Sequence, residues 1–481
     1  MIERLKLFIQ KFLPKNSFMR GVSVLVGGTT GEQILLVIAA PILTRIYAPE
    51  DFGLLAIYVS LLALLNVISS LRYQLAIPLP KDEVEAANIA ILGLLLVILT
   101  SIITGLLVLV FSDVIAELLG VPSLTYILWL LPISVLLSGT YTIFNYWAIR
   151  TKLFSAIAST KFAQTIALIV TQFTAFKLGG IGLIVGQIVG HSFGTARLAQ
   201  LSLRMSAFKH VSRDGIFKVA KRYRQFPLFS TWGGFIDTAS LKIPTIVIFS
   251  MFGPIVAGLL SLAERVLQMP ISLIGGSVGQ VFLSSAPEAN REGKLKVFVE
   301  KISSKLIHIG LPPAFLIFLT GPELFSIIFG ENWRQAGEFA KWITPWLYFQ
   351  FISSPLSTIF VVTEKMGQSL TWQTILFLTN LIAVLVGISF GDATKTIMTL
   401  SVANVGCYLA LLIWVAHLSK NSSYIILKPM LSAFLLSIIC VSPLLLSAFL
   451  LKSSPIISTL SFLASLLLIF VRYYILALGR S

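Results

Sequence analysis

Pro49-Glu50-Asp51-Phe52-Gly53-Leu54-Leu55 stands between two long apolar runs, and Pro254-Ile255-Val256-Ala257-Gly258-Leu259-Leu260 stands in the same setting 205 residues later. The same offset lays Glu32 on Asp237, two acidic residues inside apolar runs. Six apolar runs separate the two copies. An even number of membrane crossings returns a chain to its starting side, so two six-span repeats of one orientation are expected, related by an axis along the membrane normal.

Working outward from the repeat, the sequence divides into fourteen apolar runs: 22–46, 53–77, 87–111, 124–148, 156–176, 181–205, 229–252, 255–282, 303–321, 339–362, 371–390, 397–418, 430–450 and 456–478. A spanning helix needs about 20 apolar residues. The whole chain of 481 residues is 56% apolar and 12% charged, about half the charge of a soluble domain. Backbone groups in hydrocarbon must be bonded within their own segment, and the period-2 alternation of a lipid-facing barrel is absent, so each run reads as a helix. The expected fold class is an all-α polytopic membrane protein of about fourteen transmembrane helices, with two pseudo-symmetric six-helix lobes and two further C-terminal helices.

Of the 36 Lys and Arg residues, 22 fall in every second gap, whereas the other gaps hold only Lys177, Arg334, Lys395 and Lys452. Positive residues remain on the cytoplasmic side. This bias predicts cytoplasmic N- and C-termini in a bacterial inner membrane, and it accounts for the formal charge of +16 without a nucleic-acid partner. Residues 1–20 place Leu5, Phe8, Ile9 and Phe12 on one helical face and read as an interfacial amphipathic segment. Residues 21–205 form the expected N-lobe, 206–228 a basic cytoplasmic linker, 229–418 the C-lobe, and 419–481 the last two spans. Gly182, Gly186, Gly190 and Gly194 recur every fourth residue, a ridge that admits a close helix neighbour.

No G-x-x-x-x-G-K-[ST] loop, H-E-x-x-H pair or Cys/His cluster is present, so neither a cofactor nor a metal is expected, and an enzyme is disfavoured. What stands out is charge inside spans, where an ionised group costs about 2.5–3.5 kcal/mol at a helix centre. The deeper cations are Arg72, Lys161, Arg197, Lys242 and Arg265, with Glu32, Asp237 and Glu264 as acids; Arg45 lies nearer a span end. Ser261, Glu264, Arg265, Gln268 and Ser272 share an arc of about 100° on span eight. Asn145 continues a polar stripe on span four, and Trp346 and Gln350 belong to one on span ten. Indole and amide groups suit sugar rings; helix packing explains such stripes as readily. Arg donates two parallel hydrogen bonds and stays charged when desolvated, so a cationic cavity between the lobes points to a phosphate or diphosphate ligand. The competing reading is local ion pairing.

Several stretches resemble the polysaccharide-transport branch of the multidrug/oligosaccharidyl-lipid/polysaccharide exporter superfamily, the O-antigen flippases of Wzx type. They are Ala40-Pro41-Ile42-Leu43-Thr44-Arg45-Ile46-Tyr47-Ala48-Pro49 running on to Gly53, Leu71-Arg72-Tyr73-Gln74, Ala263-Glu264-Arg265 leading to Gln280-Val281-Phe282, and Phe329-Gly330-Glu331-Asn332-Trp333. The resemblance implies alternating access that moves a polyprenyl-diphosphate-linked oligosaccharide from the cytoplasmic to the periplasmic leaflet for O-antigen, lipopolysaccharide or other surface polysaccharide synthesis. Under it, Arg45, Arg72 and Arg265 take the positions of family cations. Glu32, Asp237 and Glu264 are the candidates for coupling to H+ or Na+. Membrane lipid, a polysaccharide polymerase and its chain-length machinery are the further partners implied. A lipid II-type flippase, an ion-coupled small-molecule antiporter and a membrane glycosyltransferase remain alternatives. Cation export would want an acidic cavity, and an enzyme would want larger periplasmic loops.

Overall fold

Apolar runs with no water to bond their backbone close their hydrogen bonds within the segment, and the computed structural model, which describes residues 17–122, 124–421, 424–450 and 455–477, consists of helices joined by short turns, with no strand among the described residues. The stripe of Leu5, Phe8, Ile9 and Phe12 lies outside the described residues. The helices are α1 (Ser17–Ile46), α2 (Pro49–Ser69), α3 (Glu83–Leu118), α4 (Leu131–Arg150), α5 (Phe154–Thr174), α6 (Gly180–Leu203), α7 (Arg213–Arg222) and α8 (Thr231–Pro270). They continue as α9 (Gly276–Arg291), α10 (Leu295–Phe329), α11 (Arg334–Leu356), α12 (Met366–Ile388), α13 (Ala393–Leu418), α14 (Tyr424–Leu450) and α15 (Pro455–Ala477). Among the described residues, ten helical stretches are long and apolar enough to cross a membrane. One of them, 226–275, is fifty residues long and covers two expected spans. It breaks at Gly253, whose φ of 82° only glycine adopts without strain. The remaining expected spans are the more polar helices α6 and α11, together with α15. The protein is an all-α multi-pass membrane protein.

Helix α3 shows how such a chain folds in lipid. Its 36 residues turn Leu95, Ile98, Leu99, Ile102, Leu106, Leu109 and Val110 outward. Ala86, Ala90, Gly93, Val97, Ser101, Thr104 and Ser112 face inward. Lipid tails are as apolar as leucine, so large side chains gain nothing by burial, and small ones let helices approach. Ser101 Oγ then donates to the Pro132 carbonyl at 2.8 Å. The glycine ridge of α6 behaves the same way. At Gly182 a Cβ would run into the Ala175 carbonyl and at Gly186 into the Gln172 side chain, while Gln172 Nε2 donates back to the Leu183 carbonyl at 3.0 Å.

Backbone contacts group the chain into two compact units, Met1–Ser261 and Leu262–Ser481. The division falls in α8 after Ser261, whereas residues 206–228 belong wholly to the first unit. Within that unit the repeat copies pack on each other reciprocally. A Cβ on Gly53 would overlap the Pro254 carbonyl, and a Cβ on Gly258 would overlap the Pro49 carbonyl. Each glycine therefore meets the proline that opens the other copy.

The basic stretch 206–228 is more structured than a solvated loop. Ser212 caps α7 by accepting from Gly215 N at 3.1 Å, and Val219 is buried in a cluster with Tyr73, Ala86 and Trp147. Asn88 on α3 ties the segment down: its Oδ1 accepts from Ser212 N at 3.2 Å and its Nδ2 donates to the Val84 carbonyl at 2.8 Å. Arg222 adds an ion pair with Glu85 at 2.7 Å. Exposed pairs of this kind contribute little, at most about 1 kcal/mol. Replacing Asn88 by alanine leaves the Ser212 amide without its acceptor, so a loss of about 1–3 kcal/mol is expected, whereas Arg222→Ala should be nearly silent. Thermal melting of the two purified variants checks this, and equal melting temperatures would show that Asn88 does not hold the segment.

Candidate functional site

In the first unit the polar residues of α1, α4, α5 and α6 meet. Gly28 on α1 lies against Ala158 on α5 so closely that a Cβ would overlap it. One turn further along each helix, Glu32 Oε2 comes to 3.9 Å from Lys161 Nζ. Tyr141 on α4 sits within electrostatic reach of Glu32, and its ring centroid is 6.4 Å from that of His191 on α6. Asn145 follows one turn later on α4. Tyr141 Oη, Asn145 Oδ1 and His191 Nδ1 are buried without a hydrogen-bond partner among the described residues. Each buried polar atom left so costs about 1–3 kcal/mol. The cluster is therefore chemically suited to bind water, a proton or a small cation between an ion pair and three acceptor or donor groups. Only the crossing of these helices brings Tyr141 to Glu32 and His191 to Tyr141.

A second cluster in the same unit is built around Arg72. Helix α2 stops at Ser69, short of the expected end at 77. Leu71 and Arg72 then take left-handed backbone at φ 46° and 63°. Two consecutive non-glycine residues in this region are strained, about 1–3 kcal/mol each, and such strain persists where surrounding contacts impose it. The reversal lays the guanidinium on α8 at Gly234, where any Cβ would overlap it. Asp237 stands three residues on, close enough to act on Arg72 electrostatically. Arg72 Nε is nevertheless buried with no hydrogen-bond partner among the described residues. Nearby, Tyr73 Oη donates to the Ala220 carbonyl of α7 at 3.0 Å, so this cluster lies beside the basic segment rather than deep in a span.

In the second unit, Gln268 Nε2 on α8 donates to Gln350 Oε1 on α11 at 3.4 Å. Trp346, one turn before Gln350, is buried and its Nε1 has no hydrogen-bond partner among the described residues. Arg265 and Glu264 are half-buried on α8, one turn before Gln268. The other expected cations stand differently: Arg45 on α1 and Arg197 on α6 are exposed, and Lys242 on α8 is half-buried. The structure thus joins Glu32 with Lys161, Asp237 with Arg72, and Gln268 with Gln350. Among the described residues no group of three His, Cys, Asp or Glu side chains converges as a metal site would require.

The geometry has relatives. The lipid II flippase MurJ in an inward closed conformation superposes with a TM-score of 0.72 at 17% identity, covering 95% of this chain and 99% of that one. An inward-facing multidrug resistance transporter of the MATE family, MOP superfamily, gives 0.63 at 13% identity, covering 81% and 96%. At these identities the likeness is one of fold. In sequence, the succinoglycan biosynthesis transport protein ExoT of Rhizobium meliloti (strain 1021) is 21% identical over 435 residues, 87% of this chain and 85% of the relative. The profile of one family spans most of both polar clusters of the first unit and runs on through the glutamine pair's α8 partner to α11, matching residues 42–338. On that match the chain belongs to the polysaccharide biosynthesis protein family.

Proposed function

We propose that the protein is a flippase that carries a polyprenyl-diphosphate-linked oligosaccharide from the cytoplasmic to the periplasmic leaflet of a bacterial inner membrane, for assembly of O-antigen or another surface polysaccharide. The observation that carries this reading is the seating of Arg72: strained backbone and a glycine on the facing helix hold a guanidinium whose Nε has no hydrogen-bond partner among the described residues. A planar fork held in that way suits phosphate oxygens. Lys161 and Arg265 add positive charge along the route, and Asn145, Trp346, Gln268 and Gln350 offer amide and indole groups to sugar. Arg45, Arg197 and Lys242 complete the proposed cationic path.

The physical task fits these groups. Sugar hydroxyls dragged through hydrocarbon lose about 1–3 kcal/mol each without a partner, so a polar path for the head group removes most of the barrier. An inside-negative potential favours outward movement of each uncompensated negative charge by about 2.3 kcal/mol per 100 mV. Cations that travel with the diphosphate cancel part of that drive, and protonation or Na+ binding at Glu32, Asp237 or Glu264 would restore it. Glu32 is the strongest of the three, because it pairs with Lys161 and lies within electrostatic reach of Tyr141. Handover to a polymerase and its chain-length machinery would follow in the periplasm.

The test is reconstitution in liposomes with a fluorescent polyprenyl-diphosphate oligosaccharide, followed by a membrane-impermeant quencher. Protein-dependent flipping is expected, and it should slow at least tenfold in Glu32→Gln when a proton or sodium gradient is applied. Flipping that ignores both gradients would remove the coupling role. Export of cationic dyes with no flipping would overturn the function in favour of an antiporter.

A further inference from the structure

An apolar cavity of about 420 Å3 opens inside the second unit, walled by α8, α10, α11, α15 and the π-helical turn Ile271–Gly275. Pro270, Ile274, Pro313, Ile317 and Phe351 are among the apolar residues that line it. Its few polar groups are already engaged. Proline 313 has no N–H, so the Ile309 carbonyl one turn earlier loses its helical donor; Tyr473 Oη on α15 replaces it at 2.6 Å. Tyr348 Oη donates to the Ile307 carbonyl at 3.4 Å.

Beside these hydroxyls lies Arg472, within electrostatic reach of both. Its two Nη atoms are shut off from solvent and have no hydrogen-bond partner among the described residues. A guanidinium stays charged under all ordinary conditions. Buried charges are paired, because desolvating one alone costs several kcal/mol. Arg472 stands behind the cavity wall, within electrostatic reach of two tyrosines that line it, so an anion is the missing chemistry beside a space that hydrocarbon fills well.

We propose that Arg472 and this cavity form a binding site for a single anionic membrane phospholipid, its phosphate on the guanidinium fork and one hydrocarbon chain in the cavity. Two features favour a bilayer lipid over the transported lipid-linked sugar. The volume is that of a site for one small ligand, enough for one chain. The wall also has no uncommitted polar group to receive sugar hydroxyls next to a phosphate held at Arg472. The lipid would tie α15 to α10 and α11 and make the second unit dependent on the lipid around it.

Native mass spectrometry of the full chain in detergent, titrated with phosphatidylglycerol or with phosphatidylcholine of the same chains, tests the site without any transport assay. One phosphatidylglycerol is expected to bind at least tenfold more tightly than phosphatidylcholine. Arg472→Gln should erase that preference, Arg472→Lys should keep part of it, and Ala314→Phe, which fills the cavity, should weaken binding at least tenfold with the guanidinium intact. Melting curves select variants that are folded. Equal phosphatidylglycerol affinity in wild type and folded Arg472→Gln overturns the site. So does equal competition by inorganic phosphate, which would mean an anion site with no chain, or displacement by a polyprenyl-diphosphate sugar at lower concentration than phosphatidylglycerol, which would assign the cavity to the transported substrate.

Discussion

Alanine at Gly53 or at Gly258 is expected to cripple the protein, although glycine-to-alanine changes inside helices ordinarily stabilise by up to about 1 kcal/mol. The added Cβ at either position would fall within 3.0 Å of a backbone carbonyl, closer than Cβ atoms come in real structures. The obstacle is main chain, so no rotamer change relieves it and the two repeat copies must part. Overpacking of this kind costs about 1–3 kcal/mol, sometimes more. That is enough to shift a balance between conformations by roughly five- to 150-fold, since about 1.4 kcal/mol is a factor of ten. Because the contacts are reciprocal, helices parted by one alanine already accommodate the second. The double variant should therefore lose little beyond either single one, a failure of additivity that neighbouring sites show. Gly406 on α13 has open space around it, and Gly406→Ala is the control. Melting temperature and surface-polysaccharide export are the readouts; Gly53→Ala matching Gly406→Ala in both would show that the packed repeats are not held as described.

Loss of the Arg72 guanidinium should have the largest effect on transport. Hydrogen bonds from a charged donor contribute about 1.5–3 kcal/mol, so Arg72→Ala is expected to slow export roughly ten- to 150-fold at normal expression. Lysine keeps the charge and loses the planar fork, and Arg72→Lys should retain an intermediate rate. Gly234→Val offers an independent approach, since it leaves Arg72 in the chain and evicts its guanidinium from α8. It should reproduce most of the Arg72→Ala defect. Complementation of a flippase-null strain reads all three, with Arg265→Ala as the matching change in the second unit. Wild-type surface polysaccharide from both Arg72→Ala and Arg265→Ala would remove these cations from the substrate path.

The two sets of variants probe different depths of information. Gly53 and Gly258 were visible in the sequence as equivalent positions of a repeat, but nothing in the letters says that the copies touch, or that each glycine faces the other copy's proline. Arg72 was visible as a charge in an apolar run. Hydropathy cannot tell that α2 ends at Ser69, because the reversal at Leu71 and Arg72 depends on a distant helix offering Gly234 as a seat. The basic segment was legible as charge, whereas its docking through Asn88 and Val219 was not, since the acceptor and the apolar pocket come from α3 and α4. Arg472 is a cation in the last apolar run, 456–478. Its lack of a hydrogen-bond partner among the described residues is a property of the surrounding packing.

The order of apolar runs and the alternation of basic gaps were enough to establish an all-α, multi-pass protein, because hydrocarbon tolerates no unbonded backbone and every run must close its own hydrogen bonds. Those constraints act within one helix at a time, so a linear reading captures them. The pairing of Glu32 with Lys161, the seat of Arg72 on Gly234, and the packing of one repeat copy on the other were decided only in the tertiary structure. They depend on which small residues let which helices approach, and in lipid that choice is made by contact between helix surfaces far apart in the chain.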